Sequence, residues 1–549
     1  PIQNFVVDGA FISKKITMKY GENTTIINYS IINNNKPFKM RIEPLVNNRD
    51  HHGNTKCCDF KCSQNDDKHG TAVSFNINDL KLNLKSDKAI YIKHERWYEN
   101  MFYINEKERG LSDYDNHFIP GYFEFELKPY EKGEFSIIAS TQDIKDANGK
   151  DYFEAEEKRK KCILSKLKVR DELSETLALA ADQFLVKRRS TNKTTIIAGY
   201  PWFTDWGRDT MISFTGLTLC TGRFNEAKEI LMTFATYVKN GLVPNMFPDT
   251  NTSPIYNTID ASLWYFNAVY KFIEYTGDYE FIRLNIFKVL TDIIQKHIEG
   301  TKYYIKMDKK DGLLSGGSKD TQLTWMDVKI NGSAVTPRYG KAVEINALWY
   351  NAVCIYEGLC RKFGVPYEFY SKLQKKIECN FMKKFWNHKK NYFYDYICND
   401  CVNDQIRPNG IIALSLPYTL VDKEKAKRAI STVLEKLYTP YGLRSLERED
   451  KKYAGIYEGD VLKRDTSYHQ GTVWSWLIGP LISSVKKWYG DDELCMKLIE
   501  PFYDHLKNRC VGSISEIFDG DSPYKPKACY AQAWSVGEVL RAYLEWKTR

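Results

Sequence analysis

The chain has 549 residues, and 43% of them are hydrophobic, which allows a large core divided over about one to three domains. Its 79 Lys and Arg barely exceed its 70 Asp and Glu, and the longest basic run is KRKK at 158–161, so the charge pattern predicts no nucleic-acid partner. No stretch approaches the roughly 20 consecutive apolar residues that cross a bilayer, and no membrane partner is predicted.

Thirteen cysteines are spread irregularly along the chain. An odd number at irregular spacing favours reduced thiols over a disulfide framework, which predicts a cytoplasmic location. The segments HHGNTKCCDFKC (51–62) and CNDC (398–401) resemble metal-ligand spacing, but no second ligand pair follows at a fixed interval. We therefore predict no metal site, and we interpret both segments as surface loops with free thiols.

Residues 1–165 predict an antiparallel β-sandwich domain. Apolar and polar residues alternate there with a period of two, and Asn, Asp and Gly separate the runs. The alternating segments are KKITMKY, TTIINYSI, FKMRIEPLV, AVSFNI, AIYIKHERWY, GYFEFELK and GEFSIIAS.

Residues 166–549 predict a second, helical domain, because their apolar residues return every three or four positions. We count twelve helical runs, at about 166–187, 207–221, 223–240, 259–276, 279–301, 342–363, 366–384, 408–417, 422–437, 469–486, 490–508 and 528–547.

The links between these runs alternate between short and long. The short links lie near residues 222, 277, 364, 418 and 489, whereas the longest link covers 302–341. A tight link forces its two helices to be antiparallel, so the alternation predicts six helical hairpins. If the hairpins close into a ring, the fold is an (α/α)6 barrel with all its long loops at one end. An open solenoid is the alternative, although no motif repeats between hairpins.

The long loops are rich in Trp, Tyr, Asp, Glu, Arg and Asn. They contain no GxSxG elbow, no glycine-rich phosphate loop and no paired metal-binding histidines, and no cofactor is predicted. Sugar rings stack on aromatic faces, and their hydroxyls suit bidentate groups such as Arg and Asp. Carboxylate pairs are also the apparatus of glycoside hydrolysis. The loop chemistry therefore favours a carbohydrate enzyme.

Two loop carboxylates are candidates for catalysis. Asp327 follows the apolar residues of LTWM, which would raise its pKa and suit a general acid. Glu516 ends GSISE, with Asp519 and Asp521 nearby, a more polar place that would suit a general base. On residue chemistry alone, each of them could instead serve as a cap or an ion-pair partner in its loop.

Several long motifs in register carry a family resemblance. PWFTDWGRDTMIS and TWMDVKINGSAVTPRYGKAVEINALWYNA make the chain resemble the glycogen debranching enzymes, specifically their amylo-α-1,6-glucosidase portion. DGLLSGG, YNTIDASLWY, RPNGIIALSLP, YGLRSL, YHQGTVWSW and GSISEIFDGD extend the match in the same order. The strand-rich N-terminal part also fits the family.

The resemblance implies an inverting (α/α)6 glucosidase that removes single α-1,6-linked glucose residues from glycogen or limit dextrin. By motif, Asp327 matches the general acid and Glu516 the general base. In an inverting pair the two carboxyl groups stand roughly 6.5 to 9.5 Å apart and admit a water molecule.

The other candidate residues have two interpretations each. Arg208 and Asp209 could form a helix-start ion pair, but with the resemblance we favour recognition of sugar hydroxyls. The tryptophans could be core residues or stacking surfaces, His469, Gln470 and Trp474 could merely cap the tenth helix, and Arg338 and Glu344 could be a structural pair. The predicted substrate-binding residues are Trp202, Asp205, Trp206, Arg208, Asp209, Trp325, Arg338, Glu344, His469, Gln470 and Trp474.

The chain departs from the family pattern in two respects. Members usually begin with a glycine-rich NGLGGY-type segment, whereas this chain opens at Pro1, so its β-domain is expected to be clipped. The large eukaryotic members carry a glucanotransferase half for which this chain has no room, so we expect either that a separate glucanotransferase or phosphorylase acts on the same polymer or that the enzyme acts directly on short branches. The remaining alternatives are a glucoamylase-like or trehalase-like glucosidase, a noncatalytic glycogen-binding protein and, least favoured, a zinc-dependent enzyme.

Overall fold

The structure is a computed structural model that describes residues 1–34, 36–145, 147–248, 253–398 and 401–548. The chain divides into two compact units, Pro1–Cys162 and Ile163–Arg549. Residues 249–252 of the predicted loop between the third and fourth helices, and residues 399–400 of the CNDC segment, lie outside the described residues.

The N-terminal unit consists of antiparallel strands. In its larger sheet the strand order is β1-β2-β3-β10-β7-β6-β5, and in the smaller sheet it is β4-β9-β8. Each of the seven alternating segments of the sequence overlaps one of these strands. The bounds are β1 Ile2–Val7, β2 Ala10–Met18, β3 Thr24–Asn33, β4 Phe38–Ile42, β5 Cys62–Asp67, β6 Gly70–Phe75, β7 Lys81–Ser86, β8 Ile90–Phe102, α1 Ile104–Glu108, β9 Tyr114–Leu127, β10 Lys132–Ser140 and α2 Gly149–Leu164.

One apolar core serves both sheets of this unit. Ile31 and Phe135 belong to the larger sheet, Tyr91 and Phe123 belong to the smaller sheet, and all four are buried in the same cluster. Tyr29 and Phe125 both stack on Phe135, with ring centroids 5.1 and 4.5 Å apart. The period-two alternation therefore places one face of each sheet in a shared interior.

The second unit is mostly helical. Its helices are α3 Glu172–Phe184, α4 Gly207–Phe214, α5 Phe224–Thr236, α6 Asp260–Thr276, α7 Tyr279–Phe281, α8 Phe287–Glu299, α9 Val343–Phe363, α10 Glu368–Phe385, α11 Asn409–Ser415, α12 Lys423–Lys436, α13 Val461–Ser467, α14 Ile478–Trp488, α15 Asp492–Ile499, α16 Pro501–His505 and α17 Ala533–Thr548. Thr215–Leu219 and Ile282–Ile286 are π-helical, and Lys302–Tyr304 and Ser475–Leu477 form 3-10 turns.

Short strands lie in the loops between these helices. They are β11 Leu185–Arg188, β12 Lys193–Ile196, β13 Gly199–Tyr200, β14 Lys306–Met307, β15 Leu314–Ser315, β16 Lys329–Ile330, β17 Ser333–Ala334, β18 Lys341–Ala342, β19 Trp386–Asn387, β20 Tyr392–Phe393, β21 Tyr396–Ile397, β22 Val402–Asn403, β23 Tyr438–Thr439, β24 Gly442–Arg444, β25 Val473–Trp474, β26 Ile517–Phe518, β27 Pro526–Lys527 and β28 Ala531–Gln532.

Each of the twelve predicted runs contains a helix, but three predicted starts are wrong, and the first helix begins at Glu172 rather than at 166. The tenth run was expected to begin at 469, whereas 473–474 form strand β25 and α14 begins at Ile478. The β-branched Val473 and the aromatic Trp474 pair with β24 and β26, and these tertiary contacts override the helical period. The twelfth helix begins at 533 rather than 528, and α13 was not predicted.

Six helices of this unit contact one another in a closed cycle, which we call the inner ring. Helix α4 packs on α6, α6 on α9, α9 on α11, α11 on α14, α14 on α17, and α17 on α4. The apolar stripe of each helix is thereby covered by two neighbours. Among the described residues, no helix is long and apolar enough to cross a membrane, and no group of three or more His, Cys, Asp or Glu side chains is arranged to hold a metal ion.

The inner ring includes a close approach between glycines. A Cβ atom on Gly216 would overlap the carbonyl group of Gly537, and a Cβ atom on Gly537 would lie 2.9 Å from the Cβ atom of Ser213. Because these two glycines have no side chains, α17 can approach the end of α4 this closely.

We predict that Gly216→Ala lowers the free energy of unfolding by about 1–3 kcal/mol, because the backbone of α17 must shift to admit the methyl group. Gly358→Ala is the matched control: it lies in α9, and its new Cβ would meet no described atom within 4 Å. That variant should gain roughly 0.5–1 kcal/mol from its better helix propensity. Urea unfolding of both variants measures the difference, and equal effects would contradict the packing argument.

Candidate active site

The N-terminal ends of the inner-ring helices carry a cluster of charged side chains. Arg208, in the first turn of α4, is only 2% exposed. Its Nε donates to both oxygens of Asp260 at the start of α6, at 3.0 and 2.8 Å, and its Nη1 donates to Asp327 Oδ2 at 2.7 Å. A single guanidinium thus joins two helix starts to the candidate acid.

Asp327 lies at the more open side of this cluster. Its side chain is 27% exposed, whereas that of Asp260 is 2% exposed. Burial raises the pKa of Asp327 and the Arg208 charge lowers it, with burial prevailing. The direction agrees with the effect expected from the apolar residues before Asp327, although the opposing guanidinium was not foreseen.

Asp209 is buried beside both candidate catalytic carboxylates. Its Oδ1 accepts a hydrogen bond from Gln532 Nε2 at 3.3 Å. Burial raises its pKa to about 8, helped by repulsion from Asp327 and Glu516 and opposed by Arg208. Three carboxylates from distant parts of the sequence therefore share one electrostatic environment.

Glu516 is fixed by hydrogen bonds on both oxygens. The Tyr468 hydroxyl donates to Oε1, and the backbone N–H of Cys529 donates to Oε2 at 3.1 Å. Glu516 is nevertheless removed from solvent: it is 2% exposed, and the neighbouring Ile514 and Ile517 are fully buried. Strand pairing of 517–518 with β25 and β27 draws this loop into the core.

A buried histidine supports the same loop. The backbone N–H of Ser515, directly before Glu516, donates to His505 Nε2 at 3.1 Å. That bond requires a neutral imidazole, and burial together with the nearby Arg509 charge lowers the pKa of His505 to about 4. The His505 ring also packs on Phe518, with centroids 4.7 Å apart.

Arg338 and Glu344 form a second buried ion cluster. Arg338 Nη2 donates to Glu344 Oε2 at 2.6 Å, and its Nε donates to Asp395 Oδ2 at 2.7 Å. Asn409, at the start of α11, donates to Asp395 Oδ1 at 2.6 Å and accepts from Trp325 Nε1 at 2.6 Å. This cluster connects α9 and α11 to the loop that carries Asp327, which favours a structural role for Arg338 and Glu344.

The tryptophans of the candidate site form a buried aromatic layer. Trp325 packs edge-on against Trp474 and His469, with centroids 5.1 and 5.4 Å apart. Trp474 and His469 stack on each other at 5.1 Å, and both are 1% exposed. The expectation that His469 caps the tenth helix is wrong, because that helix begins at Ile478. These packed rings support the loop that carries Trp325 and the candidate acid.

Gln470 connects three loops at the edge of this layer. Its Oε1 accepts from Arg407 Nη2 at 2.9 Å, and its Nε2 donates to Thr336 Oγ1 at 3.0 Å. Arg407 also donates to the carbonyl oxygens of Ser445 and His469 at 3.0 and 2.8 Å. Both functional groups of the Gln470 amide are therefore bound to protein partners.

The other residues of the opening motif have different surroundings. Asp205 accepts from Arg188 and, at 2.9 Å, from Thr195 Oγ1. Its oxygens hold the loop before α4, so these contacts do not support a substrate-binding role. Trp206 packs edge-on against Phe203 at 6.0 Å, and Trp202 is half-buried against the core.

Sequence reasoning missed the residues that hold the candidate catalytic groups. Asp260 is the fifth residue of YNTIDASLWY and Tyr468 begins YHQGTVWSW, but neither is among the predicted site residues. Asp395 and Asn409 lie 14 residues apart, on either side of β21 and β22, and nothing in their local sequence links them to Arg338 or Trp325. An acidic residue in the first turn of α6 was a usable signal for Asp260.

The cysteine segments differ from each other. Cys398 and Cys401 form a disulfide, so the expectation of free thiols at CNDC is wrong. A separation of three residues at a hairpin tip brings the two sulfurs together. Cys57 and Cys58 carry exposed free thiols, with their sulfurs 3.5 Å apart.

Comparisons with protein families match both parts of the chain. The model described as amylo-alpha-1,6-glucosidase matches residues 179–541, and the model described as glycogen debranching enzyme N terminal matches residues 1–133. The glycogen debranching enzyme of Saccharomyces cerevisiae (strain ATCC 204508 / S288c) is 26% identical over an alignment of 408 residues that covers 56% of this chain. The aligned part spans 26% of the yeast protein's length.

Solved structures show a likeness of fold. A bacterial glucoamylase complexed with acarbose aligns with 98% of this chain and 82% of its own, with a TM-score of 0.62 and 14% identity. An uncharacterised conserved protein from Thermus thermophilus aligns with 68% of this chain and 99% of its own, with a TM-score of 0.49 and 13% identity.

We predict that acid weakens this fold through its buried histidines. The pKa values of His297 and His505 are both lowered to about 4, against roughly 6.5 in the unfolded chain. Their neutral forms support full stability above about pH 6.5, and this stability is lost as the pH falls through about 4, because unfolding then takes up protons. His505→Asn should reduce the fall in unfolding free energy between pH 7 and pH 5. Urea titrations measure it against the exposed control His388→Gln, and an unchanged slope for His505→Asn would contradict the assignment.

Proposed function

We propose that this chain, which belongs to the amylo-alpha-1,6-glucosidase family, hydrolyses the α-1,6 bond that attaches a single glucose to a branched α-glucan such as glycogen or limit dextrin. The observation that carries the proposal is that Asp327, which Arg208 contacts, and Glu516 both lie close enough to Asp209 to raise its pKa. Paired carboxylates in different environments are the requirement of glycoside hydrolysis, and the nearby guanidinium suits a sugar hydroxyl.

We further propose that the twelve predicted helices form an (α/α)6 barrel. The closed cycle of contacts among six of them supports this architecture, and so does the fold likeness to the bacterial glucoamylase. In such a barrel the N-terminal ends of the inner helices face the substrate, and their partial positive charge favours the carboxylates of the site.

Asp327 is the proposed general acid. It is partly exposed, as a group must be to reach the glycosidic oxygen, and burial raises its pKa toward the protonated form. After the proton is transferred, the Arg208 guanidinium at 2.7 Å stabilises the carboxylate that remains. The same contact that opposes protonation in the free enzyme therefore favours proton donation in the transition state.

Glu516 is the proposed general base. The Tyr468 hydroxyl and the Cys529 N–H each bind one oxygen of its carboxylate and so restrict its orientation. Activation of a water on the face opposite to the leaving group gives inversion at the anomeric carbon. Arg208 and Asp209 are the proposed holders of the terminal glucose, since Arg208 contacts Asp327 and the charges of both Asp327 and Glu516 act on Asp209.

A single glucose stub arises when another enzyme has shortened the branch. We therefore propose that a glucanotransferase or a phosphorylase acts on the same polymer before this enzyme. The predicted cytoplasmic location is part of this proposal and rests on the predominance of thiols outside disulfides, such as those of Cys57, Cys58 and Cys220.

The decisive variants are Asp327→Asn and Glu516→Gln. Both preserve shape and remove the proton chemistry, so each should lower kcat by about 10³-fold or more on a glucosyl-branched dextrin. Glu299→Gln, at an exposed carboxylate of α8 paired with Lys296, should retain full activity. Unchanged activity in both site variants would instead indicate a noncatalytic glucan-binding protein.

The reaction course distinguishes the proposal from a glucoamylase-like or trehalase-like enzyme. We expect glucose to appear first as the β-anomer from a singly branched dextrin, followed by ¹H NMR, with much slower release from maltose and trehalose. Initial α-glucose would overturn the inverting assignment. Faster release from maltose or trehalose would overturn the α-1,6 preference.

A further inference from the structure

A cavity of about 390 Å³ lies in the inner ring away from the catalytic carboxylates. Its walls come from the later turns of α6 and α17 and from residues of α4, α11 and α14. Ile212, Trp264 and Pro480 form part of the lining, and the exposed residues Glu274 and Lys487 stand at its outer side. The cavity is therefore accessible from the end of the ring opposite to the active site.

The cavity and the active site lie along the same faces of the ring helices. Residues four apart on a helix lie one above the other, about 6 Å apart along its axis. On three of these helices, a residue of the site or a buried tryptophan is followed four positions later by a cavity residue. These pairs are Arg208 and Ile212 on α4, Asp260 and Trp264 on α6, and Trp534 and Glu538 on α17. Trp476, in the 3-10 turn before α14, likewise precedes the cavity residue Pro480.

A layer of buried polar atoms separates the two spaces. The rings of Trp476 and Trp534 stack at 5.4 Å, and Trp476 packs on Trp325 at 5.5 Å. The indole nitrogens of Trp476 and Trp534 have no hydrogen-bond partner among the described residues, and neither have the hydroxyls of Thr210, Ser475 and Ser535. Buried polar groups are nearly always satisfied, and buried water is their usual partner where protein groups are lacking.

The proposed hydrolysis requires a water molecule beside Glu516. Each hydrolysed bond consumes one water molecule, which must reach Glu516, a side chain with 2% exposure. A glucose held by Arg208 and Asp209 would fill the open side of the site and exclude solvent from there. A water molecule that reaches Glu516 after the sugar has bound then requires another approach.

We propose that the axial cavity is a water reservoir that supplies the catalytic base through the polar layer of Thr210, Ser475, Trp476, Trp534 and Ser535. Water enters at the end of the ring that carries Lys487, passes between the hydroxyls and indole N–H groups, and reaches Glu516 from beneath the bound sugar. The inference rests on the proposed hydrolytic function and adds a route for its second substrate.

Filling the cavity tests the route. Thr215 lines the cavity and is 3% exposed, and Thr215→Leu should obstruct it without touching the sugar site. We expect kcat on a glucosyl-branched dextrin to fall about tenfold, with KM and the inhibition constant of glucose within about twofold. Thr233→Leu is the control, since Thr233 is 4% exposed on α5, outside the cavity, and should keep kcat.

A second measurement does not depend on the variant. A high-resolution crystal structure of the wild-type protein should show ordered waters within hydrogen-bond distance of the Trp476 and Trp534 indole nitrogens, continuous with the cavity. A dry layer would overturn the proposal, as would an unchanged kcat in a Thr215→Leu protein whose crystal structure shows the cavity filled. Failure of the hydrolytic function itself is distinguishable, because the wild-type protein would then release no glucose.

Discussion

The guanidinium of Arg208 is held between Asp260 and Asp327 in a nearly solvent-free place. Removing one partner from a buried ion pair costs roughly 3–5 kcal/mol, because an uncompensated charge is left behind. The three groups come from α4, from the start of α6 and from a loop 119 residues away along the chain. Because each of these charges needs its partner, the ion pairs determine how the three segments pack against one another. Asp209 and Gln532 are positioned by the same packing.

The dipoles of the ring helices add a positive electrostatic potential at this cluster. Asp209, Asp260 and Glu344 occupy the first turns of α4, α6 and α9. A helix N-terminus favours a nearby negative charge by about 0.3–1 kcal/mol, so several ring helices stabilise the carboxylates together. The opposite ends of α6 and α17 bring Lys271, Arg541 and Glu545 together in ion pairs of 2.9 Å. The ring thus has carboxylates at the N-terminal ends of three helices and a mixed network of ion pairs toward its other end.

Sequence periodicity predicted the elements because it reflects local burial. The β segments and the helical runs follow from periods of two and about 3.6, which depend only on neighbouring residues. The wrong start of the tenth helix, at His469 and Trp474, has another origin. Pairing of β24, β25 and β26 places Trp474 in a small sheet and Glu516 directly before β26. The paired strands are separated by up to about 80 residues, beyond any local pattern. The same reason explains why Asp205 looked available: its partner Arg188 lies outside the motif.

The charge balance of the cluster limits how protons are distributed in it. Asp209, Asp260 and Asp327 surround the single charge of Arg208, and Glu516 is close enough to raise the pKa of Asp209. A low-dielectric site does not hold several uncompensated carboxylates, so part of the cluster stays protonated near neutral pH. The pKa of about 8 at Asp209 and the raised pKa of Asp327 both reflect the cost of holding these carboxylates ionised in a buried site. If a sugar hydroxyl binds to Asp209, it changes that balance and thereby the protonation of Asp327. Substrate holding and acid catalysis are then properties of one coupled group rather than of separate residues.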